Sequence, residues 1–230
     1  MTLAGLKSIA RVAFHVGSMP AEQWMRIQSV KAVKGNVLRK GRVLSKTDIQ
    51  AVLKASTLQN SAVKRIRDRA LFLVGCAGGL RCAELIALQI GDLDVKAGCL
   101  QILHAKGRKQ REIYLSKPTL HALQHWIRVL PDAAPESPLF RQIDRYGGIK
   151  TVPLSKSGIT NILTTLQRLS GVARFSAHDM RRTFITHLLM RGEDINTVRQ
   201  LAGHTSVNTT AIYDFRGEHT LRKASQSIRF

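Results

Sequence analysis

The chain has 230 residues, 44% of them hydrophobic, which is enough for one substantial core and at most a small additional unit. Its 36 lysines and arginines oppose 15 acidic residues, and the formal charge of +21 favours a polyanionic partner such as nucleic acid. The basic residues are spread along the chain and form no single amphipathic stretch, which argues against a membrane-surface protein.

The cysteines do not indicate a disulfide framework or a zinc site. Cys76, Cys82 and Cys99 are odd in number and form no CxxC pair. The segment Met1 to Gly17 is interrupted by basic residues and lacks the unbroken apolar stretch of a signal peptide or membrane span. We therefore expect a cytoplasmic protein with no metal and no membrane partner.

The first part of the chain is predicted to be a small helical unit followed by a linker. Residues Leu3 to Ile27 read as one or two helices with a break at Met19-Pro20. The stretch Lys31 to Arg42 is rich in lysine, arginine and glycine, and is either a flexible tether or a direct phosphate contact. The sequence therefore predicts a domain boundary after residue 42, with the main domain at 43–230.

The main domain is predicted to be mostly helical. It begins with a capping-box pattern, Ser45 followed by Asp48. Apolar residues at helical spacing and glycine stops predict further helices at about Ala62–Ala77, Cys82–Ile90, Pro118–Leu130, Ser155–Leu169, His178–Arg191 and Asp194–Ala202. The only clear sheet signal is a hairpin, Leu100–Leu103 with Glu112–Leu115. The fold class is therefore α+β, mostly α-helical, with a small antiparallel β-sheet or hairpin.

Two arginines are candidates for binding a phosphate. Arg81 lies at the head of a predicted helix, and Arg181 lies on another. Each can present a planar fork to non-bridging phosphate oxygens, which a lysine does less well. His178 precedes Arg181 by three residues, so both project from one helix face, and His178 could accept a proton or bind the phosphate. Such a basic face is, by itself, more often ordinary solvated surface.

The basic hairpin turn supplies a candidate proton donor. Lys106 could reach a leaving oxygen and protonate it, although a lysine in a turn is ordinarily surface. Its neighbours Arg108, Lys109 and Arg111 are predicted to contact DNA phosphates without sequence preference, and Arg182 is assigned to DNA binding with them.

A candidate nucleophile lies near the C-terminus. Tyr213 follows His204 in a segment, Thr205 to Phe215, that can form a short helix. An aryl phosphodiester is similar in energy to the bond it replaces, so a tyrosine could break and reseal a DNA strand without ATP or metal. This predicts an enzyme without a cofactor. A lone tyrosine on such a helix is otherwise usually a core residue.

The chain resembles the tyrosine recombinases, also called phage integrases. Six separated positions match in order and approximate spacing: Arg81 in Gly-Leu-Arg-x-x-Glu-Leu, Lys106, His178, Arg181, His204 and Tyr213. The resemblance covers about Val43 to the C-terminus and implies the catalytic-domain fold of that family. It also implies that Tyr213 forms a 3′-phosphotyrosine intermediate while the other five residues assist.

The same resemblance implies the partners. They are double-stranded DNA and three further copies of the chain, which exchange strands in two steps through a Holliday junction. Accessory DNA-bending proteins are further candidates, and the expected location is the nucleoid. The tail Leu221–Phe230 is expected either to dock on a neighbouring protomer or to be a frayed terminus.

Two departures from the family pattern stand out. Position 182 is arginine where many members carry a second histidine. The residues before Val43 can hold only a remnant of the N-terminal helical domain with which the family encloses DNA. Affinity and site specificity of the chain alone are therefore open.

Three alternatives remain. Asp194–Ala202 and Thr205–Tyr213 could form the helix-turn-helix of a non-catalytic DNA-binding protein, which a buried Tyr213 would favour. A type IB topoisomerase shares the chemistry but relaxes strands without exchanging them. The chain could also be an inactive integrase fragment that regulates complete partners.

Overall fold

The computed structural model describes residues 3–31, 41–102, 110–217 and 225–226. The chain divides into two units, Met1–Lys40 and Gly41–Phe230. In the first unit, helix α1 (Leu3–His15) packs on helix α2 (Ala21–Ser29), with Phe14 and Trp24 stacked at 5.7 Å between ring centroids. Most of the predicted linker and of the C-terminal tail lies outside the described residues.

The second unit carries eight of the described α-helices. They are α3 (Lys46–Ala55), α4 (Ala62–Gly78), α5 (Cys82–Ala87), α6 (Lys117–Arg128), α7 (Lys156–Ser170), α8 (Ala177–Met190), α9 (Ile195–Ala202) and α10 (Val207–Ala211). Short 3₁₀ turns follow α3 at Ser56–Leu58 and α5 at Ile90–Asp92. Within the described chain no helix is both long and apolar enough to cross a bilayer.

Side-chain caps fix where several helices begin. The predicted capping box at α3 is present: Ser45 accepts from the Asp48 amide, and Asp48 accepts from the Ser45 amide. Ser176 and Asp179 form a second capping box at the start of α8. Gly79 ends α4 in the left-handed region, with φ +58°. These caps set the positions of the α4 end and the α8 start, which lie side by side in the fold.

Two small antiparallel sheets accompany the helices. Strands β1 (Leu93–Asp94), β2 (Cys99–Ile102) and β3 (Arg111–Tyr114) pair in that order, so the predicted hairpin is confirmed with both strands one residue earlier. Strands β4 (Arg141–Ile143) and β5 (Ile149–Pro153) form a second sheet that the sequence analysis missed. Both strands of that sheet are short, and β5 is largely exposed, so they lack the alternating burial pattern that identifies a strand.

The core surrounds α4, which packs against α6 and α8. Trp126 of α6 is fully buried, and its indole donates to the Leu139 carbonyl at 2.7 Å. A separate apolar cluster joins α8, α9 and Tyr213. This arrangement brings the end of α4, the first turns of α8 and the end of α9 together at one edge of the core.

Candidate active site

The backbone between α9 and α10 is the point on which two distant arginines converge. The Arg181 guanidinium donates to the Gly79 carbonyl at 2.7 Å and to the Ala202 carbonyl at 2.6 Å. The Arg81 guanidinium donates to the Gly203 carbonyl at 2.8 Å. The two side chains therefore meet beside the residues that lead into His204.

A buried glutamate joins this cluster to β3. Glu84 accepts from the Arg81 amide and guanidinium at 2.8 and 2.7 Å, and from two Arg111 nitrogens at 3.1 and 2.7 Å. Burial opposes its ionisation, but the hydrogen bonds from Arg111 and Arg81 outweigh burial and lower the pKa of Glu84 to about 2. Glu84 is thus a carboxylate that holds two arginines in fixed orientations.

Arg111, which the sequence analysis assigned to DNA phosphates, has its side chain in the interior. Its side chain is only 8% exposed, and its Nε donates to the Leu201 carbonyl at 2.9 Å in addition to the pairing with Glu84. The Arg111 side chain therefore binds the backbone at the end of α9, and its charge is mostly shielded from solvent.

The arginines retain donors for an anion. Arg81 and Arg181 each direct two guanidinium hydrogen bonds to protein acceptors, and a guanidinium has five N–H groups. Arg81 is partly exposed at 42% of its side chain, whereas Arg181 is buried. Burial and the nearby charge of Arg81 lower the pKa of Arg181 to about 10, which leaves it protonated at neutral pH. The cluster presents more positive charge than Glu84 alone neutralises.

His204 and Tyr213 form the other side of the site. Their rings stack with centroids 6.2 Å apart and planes 20° apart, and His204 Nδ1 lies 2.9 Å from Thr210 Oγ1. Burial, followed by the charges of Arg181 and Arg81, lowers the pKa of His204 to about 4. His204 is therefore neutral at physiological pH and carries one ring N–H, which is on Nε2 and free to donate when Nδ1 accepts from the Thr210 hydroxyl.

His178 lies at the first turn of α8 and is more exposed than Arg181. Burial and the charge of Arg182 lower its pKa, although Asp179 opposes the shift. A neutral imidazole beside buried arginines can accept a proton.

Arg182, which the sequence analysis assigned to DNA binding, lies inside the site. Its side chain is 8% exposed, and its guanidinium carbon lies 5.2 Å from the centroid of the Tyr213 ring. Tyr213 itself is only 6% exposed. The sequence analysis gave a buried Tyr213 as the feature that would favour the non-catalytic alternative.

Three predicted site residues, Lys106, Arg108 and Lys109, lie outside the described residues. Within the ranges that are described, no three histidine, cysteine or acidic side chains lie close enough to hold a metal ion.

Sequence reasoning missed two residues that organise the site. Glu84 stands in the same Gly-Leu-Arg motif as Arg81, three residues later, so the motif itself was a signal for it. Thr210 carries no such signal, because a threonine on a short helix is ordinary until its partner His204 is known.

The chain is similar in sequence to known proteins. The sequence profile of the phage integrase family matches residues 42–216. Tyrosine recombinase XerD of Listeria monocytogenes serotype 4b (strain F2365) is 30% identical over 214 residues, which cover 92% of this chain and 69% of that protein. Tyrosine recombinase XerA of Pyrococcus furiosus is 36% identical over 149 residues, 65% of this chain and 50% of that protein.

A solved structure shares the fold. The XerH site-specific recombinase bound to its difH substrate, in a pre-cleavage complex, superposes with a TM-score of 0.61 at 25% identity, over 80% of this chain and 52% of that one. The predicted fold class is confirmed by this comparison.

Proposed function

The chain belongs to the phage integrase family and is a tyrosine recombinase that cleaves and rejoins DNA, and we propose that Tyr213 is its nucleophile within a phosphate site built by Arg81 and Arg181. The observation that carries the proposal is the convergence of both guanidinium groups on the Ala202 and Gly203 carbonyls, immediately before His204. Residues more than 100 positions apart in sequence are held around one point.

Charge stabilisation is the first part of the proposed mechanism. Attack on a phosphodiester places a second negative charge on the non-bridging oxygens, and preorganised donors lower the energy of that state. The remaining N–H groups of Arg81 and Arg181, with the free ring N–H of His204, would supply those donors. Glu84 keeps Arg81 from reorganising when the charge develops, and the Gly79 and Ala202 carbonyls do the same for Arg181.

The covalent step follows from the same assignment. The Tyr213 phenol oxygen forms a bond to phosphorus, the bond from phosphorus to the 5′ oxygen breaks, and a 3′-phosphotyrosine results. His178 accepts the phenol proton as a neutral base. Lys106 gives a proton to the leaving 5′ oxygen. Attack by another 5′ hydroxyl reverses the sequence, so no cofactor is consumed.

Strand exchange requires more than one active site. We propose that double-stranded DNA and four copies of the chain form the working assembly, with a Holliday junction between the two rounds of exchange. The excess of positive charge supports DNA as the partner, because neutralising phosphates releases counterions and strengthens binding. Accessory DNA-bending proteins stay a further proposal.

The buried position of Tyr213 supports a second candidate, a DNA-binding form that does not cleave. Such a form does not explain why Arg81 and Arg111 are both paired with the buried Glu84. A helix-turn-helix contacts DNA through its recognition helix and does not need a group of paired arginines elsewhere in the fold. We therefore rank it below the catalytic reading.

The test uses nicked duplexes tiled from DNA flanking the gene for this protein. A nick lets a short fragment leave after cleavage and traps the covalent intermediate. We expect a protein–DNA adduct on a denaturing gel with wild type and none with Tyr213→Phe. Tyr146→Phe is the matched control, because Tyr146 is 82% exposed and should not alter the adduct.

The contradicting outcomes are distinct. An adduct that persists in Tyr213→Phe would remove Tyr213 from the mechanism. DNA binding without any adduct in wild type would favour the non-catalytic form.

A further inference from the structure

We infer that Arg182 is a positioning residue for Tyr213, holding the phenol ring against His204 and coupling its position to the backbone at Gly41. The inference rests on the proposed role of Tyr213 as nucleophile. It concerns the position at which this chain departs from the histidine of many family members.

Arg181 and Arg182 are neighbours on α8 but have different surroundings. Arg181 donates two hydrogen bonds to backbone carbonyls. Arg182 lies over the Tyr213 ring, 5.2 Å from its centroid, with its Nε 3.7 Å from Asp179 Oδ1. A guanidinium over an aromatic face is attracted by the ring quadrupole, and the attraction strengthens where water is excluded.

The Arg182 guanidinium is not fully hydrogen-bonded. Among the described residues its Nε is buried without a hydrogen-bond partner, and Asp179 Oδ1, its nearest carboxylate oxygen, already accepts from the Arg42 amide at 2.9 Å. A buried donor without a partner costs stability, and a core selected for stability alone would avoid it. The contact that this arrangement secures is the one with the Tyr213 ring, which also stacks with His204.

The backbone at the start of the second unit closes over the same guanidinium. A Cβ on Gly41 would lie 2.7 Å from Arg182 Nη2 and 2.9 Å from both Arg182 Nε and Asp179 Oδ1, so a side chain there would force the guanidinium and the carboxylate to shift. The next residues are tied to α8, since the Arg42 amide donates to Asp179 and the Leu44 amide to Thr183 Oγ1 at 2.8 Å. Displacement of this backbone therefore moves Arg182, and with it the support of Tyr213.

Two substitutions separate charge from packing. Arg182→Met keeps an unbranched side chain of similar reach and removes the charge, whereas Arg182→Lys keeps the charge. We expect adduct formation in single-turnover assays on a nicked duplex to slow about tenfold in Arg182→Met, with Arg182→Lys retaining more of the rate. The Kd for uncleaved duplex, and its dependence on salt, should remain as in wild type.

Gly41→Ala tests the coupling without altering Arg182. Its methyl group would displace the guanidinium, so the same loss of rate is expected, and the double variant with Arg182→Met should lose little more than either alone. Gly147→Ala is the matched control, since Gly147 also has a positive φ, +93°, but a Cβ there meets nothing within 4 Å. Thermal unfolding of each variant checks that it is folded, and Gly41→Ala carries the test if Arg182→Met is not.

The overturning results differ from those that would sink the proposed function. A weaker Kd with a salt slope reduced by about one would make Arg182 a phosphate contact. Equal rates for Arg182→Met and Arg182→Lys, or a wild-type rate for Arg182→Met, would leave the charge without a role. Neither result bears on the nucleophile, which Tyr213→Phe in the same assay decides separately.

Discussion

On the phosphate side of the site, Arg81 and Arg111 donate to the Glu84 carboxylate, and Arg81, Arg111 and Arg181 all donate to backbone carbonyls. The tyrosine side has ring stacking, one cation–π contact and one side-chain hydrogen bond to His204. The difference teaches that the groups that meet charge are fixed before DNA arrives, whereas the nucleophile is held by weaker contacts that can yield. Preorganisation lowers the barrier only for groups that need not move during the reaction.

The largest expected effect is a loss of stability caused by a substitution on the phosphate side of the site. Glu84→Gln removes the carboxylate with which Arg81 and Arg111 pair in the described part of the chain, and leaves the buried charge of Arg111 less compensated. Removing one partner from a buried ion pair costs about 3–5 kcal/mol, so we expect the free energy of unfolding to fall by that amount. Denaturant unfolding followed by circular dichroism measures it.

The matched control makes the same chemical change at the surface. Glu22 pairs with Arg26 at 2.7 Å, but both side chains are at least 75% exposed, so Glu22→Gln should change the free energy of unfolding by less than about 0.5 kcal/mol. If both variants lost a similar free energy of unfolding, the pairing of Glu84 with Arg81 and Arg111 would be no stronger than a surface ion pair.

The two sides of the site also differ in how far the sequence predicted them. Helix positions followed from apolar spacing and caps, as at Ser45 and Asp48, because these signals act within a few residues. Arg111 was assigned to DNA phosphates with Arg108 and Lys109, since local composition is the same for all three. Its pairing with Glu84, 27 residues away, depends on how β3 meets α5, which no local signal encodes.

The candidate residues themselves could be predicted from the sequence, because each chemical task requires a particular type of residue. Two arginines, two histidines and a tyrosine suit phosphate transfer, and the structure brings Arg81, Arg181, His178, His204 and Tyr213 into one region. The burial of Tyr213 beneath Arg182 did not follow, since it arises from contacts between α8 and the segment after α10.

A smaller effect is expected on the tyrosine side of the site, where His204 makes the stability of the fold depend on pH. Its pKa is lowered to about 4 in the folded chain, first by burial and then by Arg181, whereas an unfolded histidine titrates near pH 6.5. As pH falls below that value the unfolded chain gains the proton first, so stability is lost progressively down to about pH 4. Between about pH 7 and about pH 5, the loss from this residue is about 2 kcal/mol.

The measurement compares wild type with His204→Asn, whose amide can still bond to Thr210. Burial also lowers the pKa values of His178 and His187, but these residues are common to both chains, so the difference between the two pH dependences isolates His204. Parallel curves for the two proteins would show that His204 titrates as an ordinary surface histidine does.

The smallest expected effect comes from the hydrogen bond between the His204 ring and Thr210. Thr210 is fully buried, and Thr210→Val preserves its shape while removing the oxygen 2.9 Å from Nδ1. Losing the partner of a buried polar group costs about 1–3 kcal/mol, and because the ring can still turn within its stack we expect the lower end. Adduct formation should slow by up to about tenfold, because His204 no longer presents one fixed N–H to the phosphate. Thr209→Val, at the exposed neighbouring position, should leave the rate unchanged. If Thr210→Val also kept the wild-type rate, stacking on Tyr213 alone would suffice to orient His204, and the tyrosine side would be more rigid than its contacts indicate.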